Sequence, residues 1–246
     1  MLRAAHLRAA FALVWLTVPI AAGAWASATS PITEQIHQIA IEDTLTGRLS
    51  PADLKSLLKE QERVDSEQGT TASYKHAMTG ADDPAQFNTM RPIYIWCANE
   101  YIRSNLIAAK GQYFPGRINN PLAMQAFGDA VHALEDATSP AHEGFQRWSD
   151  SFGLITKARH IGKERVYPSS DELRRSRVLL ESTVQYAYDA LLGKQPIPEL
   201  FFEPQHHLLV LPGDGQSTLD PHANLPPNQS QCRNICPSKA CDSLSP

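Results

Sequence analysis

A chain of 246 residues can bury one sizeable core, so one domain, or one domain plus a tail, is expected. Its net charge of −4 supplies no basic field of the kind that holds nucleic acid, which excludes a stable nucleic-acid partner on electrostatic grounds. An enzyme that meets nucleic acid through metal ions needs no such field, and that class stays open.

In chain order, residues 1–24 read as a secretory signal. Arg3 and Arg8 give a positive start, Ala9 to Ala22 is an uncharged apolar run, and small residues come next. Cleavage after Ala24 would leave Trp25 first; cleavage after Ala26 would leave Ser27. No later segment is apolar for long enough to cross a bilayer. The expected product is exported, periplasmic or secreted, in a compartment that permits disulfides.

Ser30-Pro31 reads as a helix start, followed by Ile32, Ile36, Ile39 and Ala40 at helical spacing with His37 beside Ile36. Ser50-Pro51-Ala-Asp53 is a second start; Leu54, Leu57, Leu58, Gln61 and Val64 mark one face, and Asp65 ends that helix. A polar connection leads to His76. Ile93 to Ala109 predicts a central helix, apolar on several faces. Phe87, Tyr94, Trp96 and Tyr101 at its spacing point to core packing, with a lipid pocket as the other reading. Asn120-Pro121 opens the next helix, and Ser139-Pro140 reads as the start of another, running from His142 to Trp148. Ser170-Asp-Glu-Leu starts a long helix with Leu173, Leu180, Val184, Ala187 and Leu191 inward. Half of the chain's 18 prolines lie from Pro196 onward, so residues 195–246 read as an irregular tail. Cys97, in an apolar run, reads as a buried thiol or a half-cystine. Cys232, Cys236 and Cys241 point to disulfides whose pairing the spacing does not fix. No strand alternation is evident before residue 195, and the fold class is all-α.

The chemistry concentrates in Phe127-Gly-Asp-Ala-Val-His132-Ala-Leu-Glu-Asp136-Ala-Thr-Ser-Pro-Ala-His142. His132 and Asp136 are four apart on a predicted helix and project from one face. Gly128 lies one turn earlier, where a larger side chain would crowd them. Imidazole nitrogen and carboxylate oxygen are both zinc donors. His37, Asp65, His76 and His142 belong to the same helical region, as do His160 and Glu164, again four apart. Donors dispersed in this way can converge inside a bundle.

Taken in order, Trp25, His37, Asp65, His76, His132-x3-Asp136-x5-His142 and His160-x3-Glu164 resemble the zinc-dependent phospholipase C family, which shares its fold with the S1/P1 nucleases. The likeness covers about residues 25–165. It implies a multi-helix bundle over residues 25–194 and three zinc ions. One zinc would take Asp65, His76, His132 and Asp136. A second would take His142, His160 and Glu164. The third would take the free amine and carbonyl of Trp25 with His37, Asp136 bridging. Asp65 is then the expected proton acceptor in attack on a phosphodiester. Glu164 and the interval from Trp25 to His37 resemble the phospholipase branch; Ser66, where phosphatidylcholine-preferring members carry Tyr, leaves the headgroup open. The implied partner is phospholipid, met in transient contact with a membrane surface by a monomer. An S1/P1-type single-strand nuclease and a non-catalytic, zinc-stabilised secreted module are the alternatives.

Overall fold

The chain is mostly helical in the computed structural model, which describes residues 36–67, 69–139, 141–142, 144–153, 156, 171–202 and 209, the side chains of 36 and 171–177 excepted. Residues 1–24, Trp25, the Ser30-Pro31 start, His160, Glu164, Cys232, Cys236 and Cys241 lie outside the described residues.

Helix α1 spans Ile36–Leu45 and buries Ile41 and Leu45. Helix α2 spans Pro51–Ser66 and begins as its sequence predicts. Ser50 Oγ accepts from the Asp53 N–H at 3.0 Å, and Pro51 occupies the position whose missing N–H costs nothing. Of the predicted inner face, Leu57, Gln61 and Val64 are buried and Leu54 and Leu58 half-buried, with Asp65 buried beside them. Helix α3, Phe87–Gln112, outruns its predicted bounds at both ends, and Ile93, Cys97, Ile102 and Leu106 lie in the core. Tyr94 and Trp96 are buried there too, which decides for core packing over a lipid pocket at those positions. Cys97 is disulfide-bonded, the half-cystine of the two readings.

Helix α4, Pro121–Ala137, packs against both α2 and α3. Its start is tied to the start of α2. The Asp53 carboxylate accepts from the Asn120 backbone N–H at 2.6 Å and from its side-chain amide at 3.1 Å. Further along, Gln61 Nε2 donates to the Gly128 carbonyl at 3.3 Å, and Arg63 pairs with Asp129. The contacts advance together along both helices, so α2 and α4 run side by side in the same direction. Gly128 makes this approach possible. A Cβ there would stand 2.7 Å from both Cβ and Cγ of Glu60. The glycine therefore serves the helix crossing; the predicted crowding of His132 and Asp136 is corrected to crowding of Glu60.

A 3-10 helix, Thr70–His76, follows α2 and ends at Ala77, whose φ is 48°. Next come β1 (Thr79–Gly80) and, much later, β2 (Arg147–Trp148), which pair in parallel as Thr79 with Arg147 and Gly80 with Trp148. This short ladder is the departure from an all-α chain among the described residues. The expected helix from His142 to Trp148 is not formed. Ser139 does cap the turn after α4, with its Oγ accepting from the Ala141 N–H at 3.1 Å. Gly144 and Phe145 then take φ values of 72° and 56°, in the left-handed region, and no right-handed helix passes through them. The segment is a run of turns ending in β2.

Helix α5 spans Asp171–Leu191 and buries Leu180, Val184, Ala187 and Leu191, the predicted inner face, with Leu173 outside the described side chains. The packed interior continues beyond residue 194. Phe201 and Phe202 are fully buried, and their backbone N–H groups donate to Asn99 Oδ1 of α3 at 2.7 and 3.3 Å. Phe202 meets the Phe145 ring edge-on at 4.7 Å and bridges to Leu209. The start of the Pro-rich stretch is thus part of the core.

Candidate metal centre

The donors come from separate stretches of chain. Helix α1 brings His37 in its first turn; the last turn of α2 brings Asp65; the 3-10 helix ends on His76; α4 brings His132 and Asp136; the turn after α4 brings His142. All are at most 4 % exposed. The i, i+4 spacing in α4 places His132 Nε2 3.2 Å from Asp136 Oδ2. The parallel course of α2 brings Asp65 Oδ1 to within 3.3 Å of the same Nε2. The β1–β2 ladder ties the stretch after His76 to the stretch after His142. His76 Nδ1 lies 2.8 Å from Asp136 Oδ2 and 3.2 Å from His132 Nε2.

Asp136 is the hub. Its Oδ2 faces His76 and His132, with His142 Nδ1 at 3.9 Å; its Oδ1 faces His37 Nε2 at 3.3 Å. The rings of His37 and His132 stack with centroids 4.6 Å apart. Two groupings have the compactness of a metal cage: His76, His132 and Asp136, and His37, Asp65 and His132. The first holds three of the four residues expected around one zinc; the fourth, Asp65, belongs to the second. The second brings His37 to Asp65 and His132, a closer association than the expected third site, although the expected contact of His37 with a shared Asp136 is present. Trp25, His160 and Glu164 lie outside the described residues.

Two residues that sequence reasoning does not single out complete the arrangement. His37 Nδ1 is 3.0 Å from Glu135 Oε2, and His132 Nδ1 is 2.7 Å from Gln61 Oε1. Both carry a signal as polar residues at inward spacing: Gln61 stands among the leucines of the α2 face, and Glu135 lies one turn from His132. Neither belongs to the family resemblance; spacing places Gln61 on the inner face of α2 but does not reveal which partner it meets.

The electrostatics follow from burial. The carboxylates of Asp65, Glu135 and Asp136 are all withdrawn from water. Burial raises the pKa of Glu135, against the pull of His37. Burial also acts to raise that of Asp136, but His132, His142 and His37 reverse the effect and hold it well below the ordinary 3.8. For His37, burial works to lower the value, and Glu135 and Asp136 together raise it well above 6.5. A buried acid either takes up a proton, the direction in which Glu135 is shifted, or is offset by positive charge, as the histidines offset Asp136.

The donor set fits zinc. Four donors at about 2.0–2.1 Å in a tetrahedron stand about 3.3 Å apart; the three separations from His132 Nε2 are 3.2, 3.2 and 3.3 Å, and His76 Nδ1 and Asp136 Oδ2 stand closer, at 2.8 Å.

Comparison with known proteins gives no match to a family model, a curated protein or a solved structure.

Proposed function

We propose that this protein is a secreted zinc-dependent phosphodiester hydrolase that cleaves phospholipids to diacylglycerol and a phosphorylated headgroup. The observation that carries the reading is the gathering of Asp65, Asp136 and His76 about His132 Nε2 at 3.3, 3.2 and 3.2 Å, with His37 and His142 facing the Asp136 carboxylate. These residues would hold zinc in the order the sequence resemblance implies, with His160 and Glu164 joining His142, and the Trp25 amine joining His37. A mostly helical chain suits the bundle of the zinc-dependent phospholipase C type. The disulfide at Cys97 suits an exported protein.

Zinc so held would lower the pKa of a bound water to about 7 and offset the negative charge that gathers on a phosphodiester in the transition state. The chain's own residues then have distinct tasks. Asp65, at 4 % the most exposed of the donors, is the carboxylate positioned to receive a proton. Asp136 joins the two sides of the centre through its two oxygens. The apolar packing of α3 and α4 behind it keeps bulk water from the donors, which strengthens each charge interaction there.

Phospholipid is favoured over nucleic acid by Glu164 and by the interval from Trp25 to His37. The test is direct. Zinc-loaded protein is incubated with phosphatidylcholine vesicles and, separately, with single-stranded DNA, each with and without a chelator. Chelator-sensitive release of diacylglycerol is the expected result. Cleavage of DNA with no lipid turnover would move the protein to the nuclease alternative; no turnover of either by protein that holds zinc would favour the non-catalytic one.

A further inference from the structure

We infer that Gln61 is a positioning residue for the metal centre, dictating which nitrogen of His132 is offered to the ion. The inference rests on the metal reading proposed for this site and adds to it a residue outside the donor set.

A backbone carbonyl sets the order of the contacts. The Gly128 C=O can only accept a hydrogen bond, and Gln61 Nε2 donates to it at 3.3 Å. That bond fixes the orientation of the amide, because a flipped amide would set oxygen against oxygen. Gln61 Oε1 is therefore the atom 2.7 Å from His132 Nδ1. An amide oxygen only accepts, so His132 Nδ1 carries the hydrogen. In the neutral ring the lone pair is left on Nε2. This is the nitrogen that faces Asp65 Oδ1 at 3.3 Å, Asp136 Oδ2 at 3.2 Å and His76 Nδ1 at 3.2 Å. A lone pair is thus aimed at the donor cluster by a chain of contacts that begins on a glycine. Gln61 is 2 % exposed and His132 fully buried, so no solvent competes for either bond. Partners of this kind around a ligating histidine contribute about 10- to 100-fold in metal affinity.

The test compares Gln61→Leu, which cannot accept from Nδ1, with Gln61→Glu, which can. Zinc affinity is measured by competition with a chromophoric chelator, and ligand geometry by the visible spectrum of the cobalt(II)-loaded protein. Circular dichroism reports folding. The expected result is an approximately 10- to 100-fold loss of zinc affinity in Gln61→Leu with an altered cobalt spectrum. Gln61→Glu should stay within a few-fold of the parent with its spectrum kept. Equal affinities in all three proteins would overturn the inference, as would an equal loss in both variants, which would mark Gln61 as packing alone. Should Gln61→Leu fail to fold, nitrogen-15 NMR of the histidine rings in the zinc-loaded parent decides the matter. A proton on His132 Nδ1 with metal on Nε2 is required, and the reverse assignment refutes it. A parent protein that takes up no zinc at all would fail the metal reading itself, a result separate from any difference between the variants.

Discussion

Asp136 Oδ2 lies 2.8 Å from His76 Nδ1 across 60 residues of chain, and neither side chain is exposed beyond 1 %. The other oxygen of the same carboxylate faces His37. One side chain therefore links both sides of the centre, and its charge rather than its shape is what the histidines answer to. Asp136→Asn keeps the shape and removes the charge. The expected outcome is loss of bound zinc after gel filtration and at least about a 100-fold fall in phosphodiesterase activity. Elemental analysis of the purified variant checks it; a variant with the parent's full zinc content would remove Asp136 from the ligands.

The second prediction concerns pH. His37 has its folded-state pKa raised, so its contribution to the stability of the metal-free protein is complete below about 6.5 and fades as pH rises through the higher folded value. Asp136 has its value depressed, so its contribution is present above about 3.8 and is lost as pH falls through the lower folded value. If His37 is a ligand, zinc must displace its proton, and the apparent affinity should climb as pH rises toward the raised value of His37. Chelator competition at a series of pH values measures this. A flat profile would count against His37 as a ligand.

Gly128→Ala tests the helix crossing. The new Cβ would meet Glu60 at its own Cβ and Cγ, atoms too near the backbone to swing aside. Helices α2 and α4 must separate by a few tenths of an ångström or more. A destabilisation of about 1–3 kcal/mol is expected, read from urea unfolding in the presence of chelator. Zinc affinity should weaken with it, because the Gln61 contact to the Gly128 carbonyl is strained by the same movement.

Asn99→Leu separates stability from the centre. It strands the N–H groups of Phe201 and Phe202, both buried, at about 1–3 kcal/mol for each group left unsatisfied. Urea unfolding should show the loss, while zinc affinity stays at the parent's value, since the amide of Asn99 is engaged with the Phe201–Phe202 backbone and not with the donors. A parallel loss of zinc affinity would reveal an indirect coupling between α3 and the centre.

Features encoded by neighbours in sequence are legible without a structure. The start of α2 needs only Ser50, Pro51 and Asp53, all within one turn, and the joint use of His132 and Asp136 needs only their spacing. The inward face of α5 emerges from periodicity in the same way. Features that depend on distant partners are not legible. The turns after His142 hinge on a left-handed Phe145, a conformation that a phenylalanine does not advertise. Gln61 and Glu135 acquire their significance only when α2 and α1 arrive beside α4. Phe201 and Phe202 lie among prolines that suggest a loose tail, and it is Asn99, more than 100 residues earlier, that draws them in.

The donors of the centre are scattered from His37 to His142, with partners separated by 98, 71 and 60 residues. Loops of such length must all be closed before the donors meet, so the centre is expected to form after the local helices. Release is a separate matter. Most of the donors sit at or near the end of an element, so fraying of one end would free one donor while those on the other elements still held an ion. The rate at which a strong chelator strips the protein would then report how often several of these ends open together, and not the fraying of any one of them.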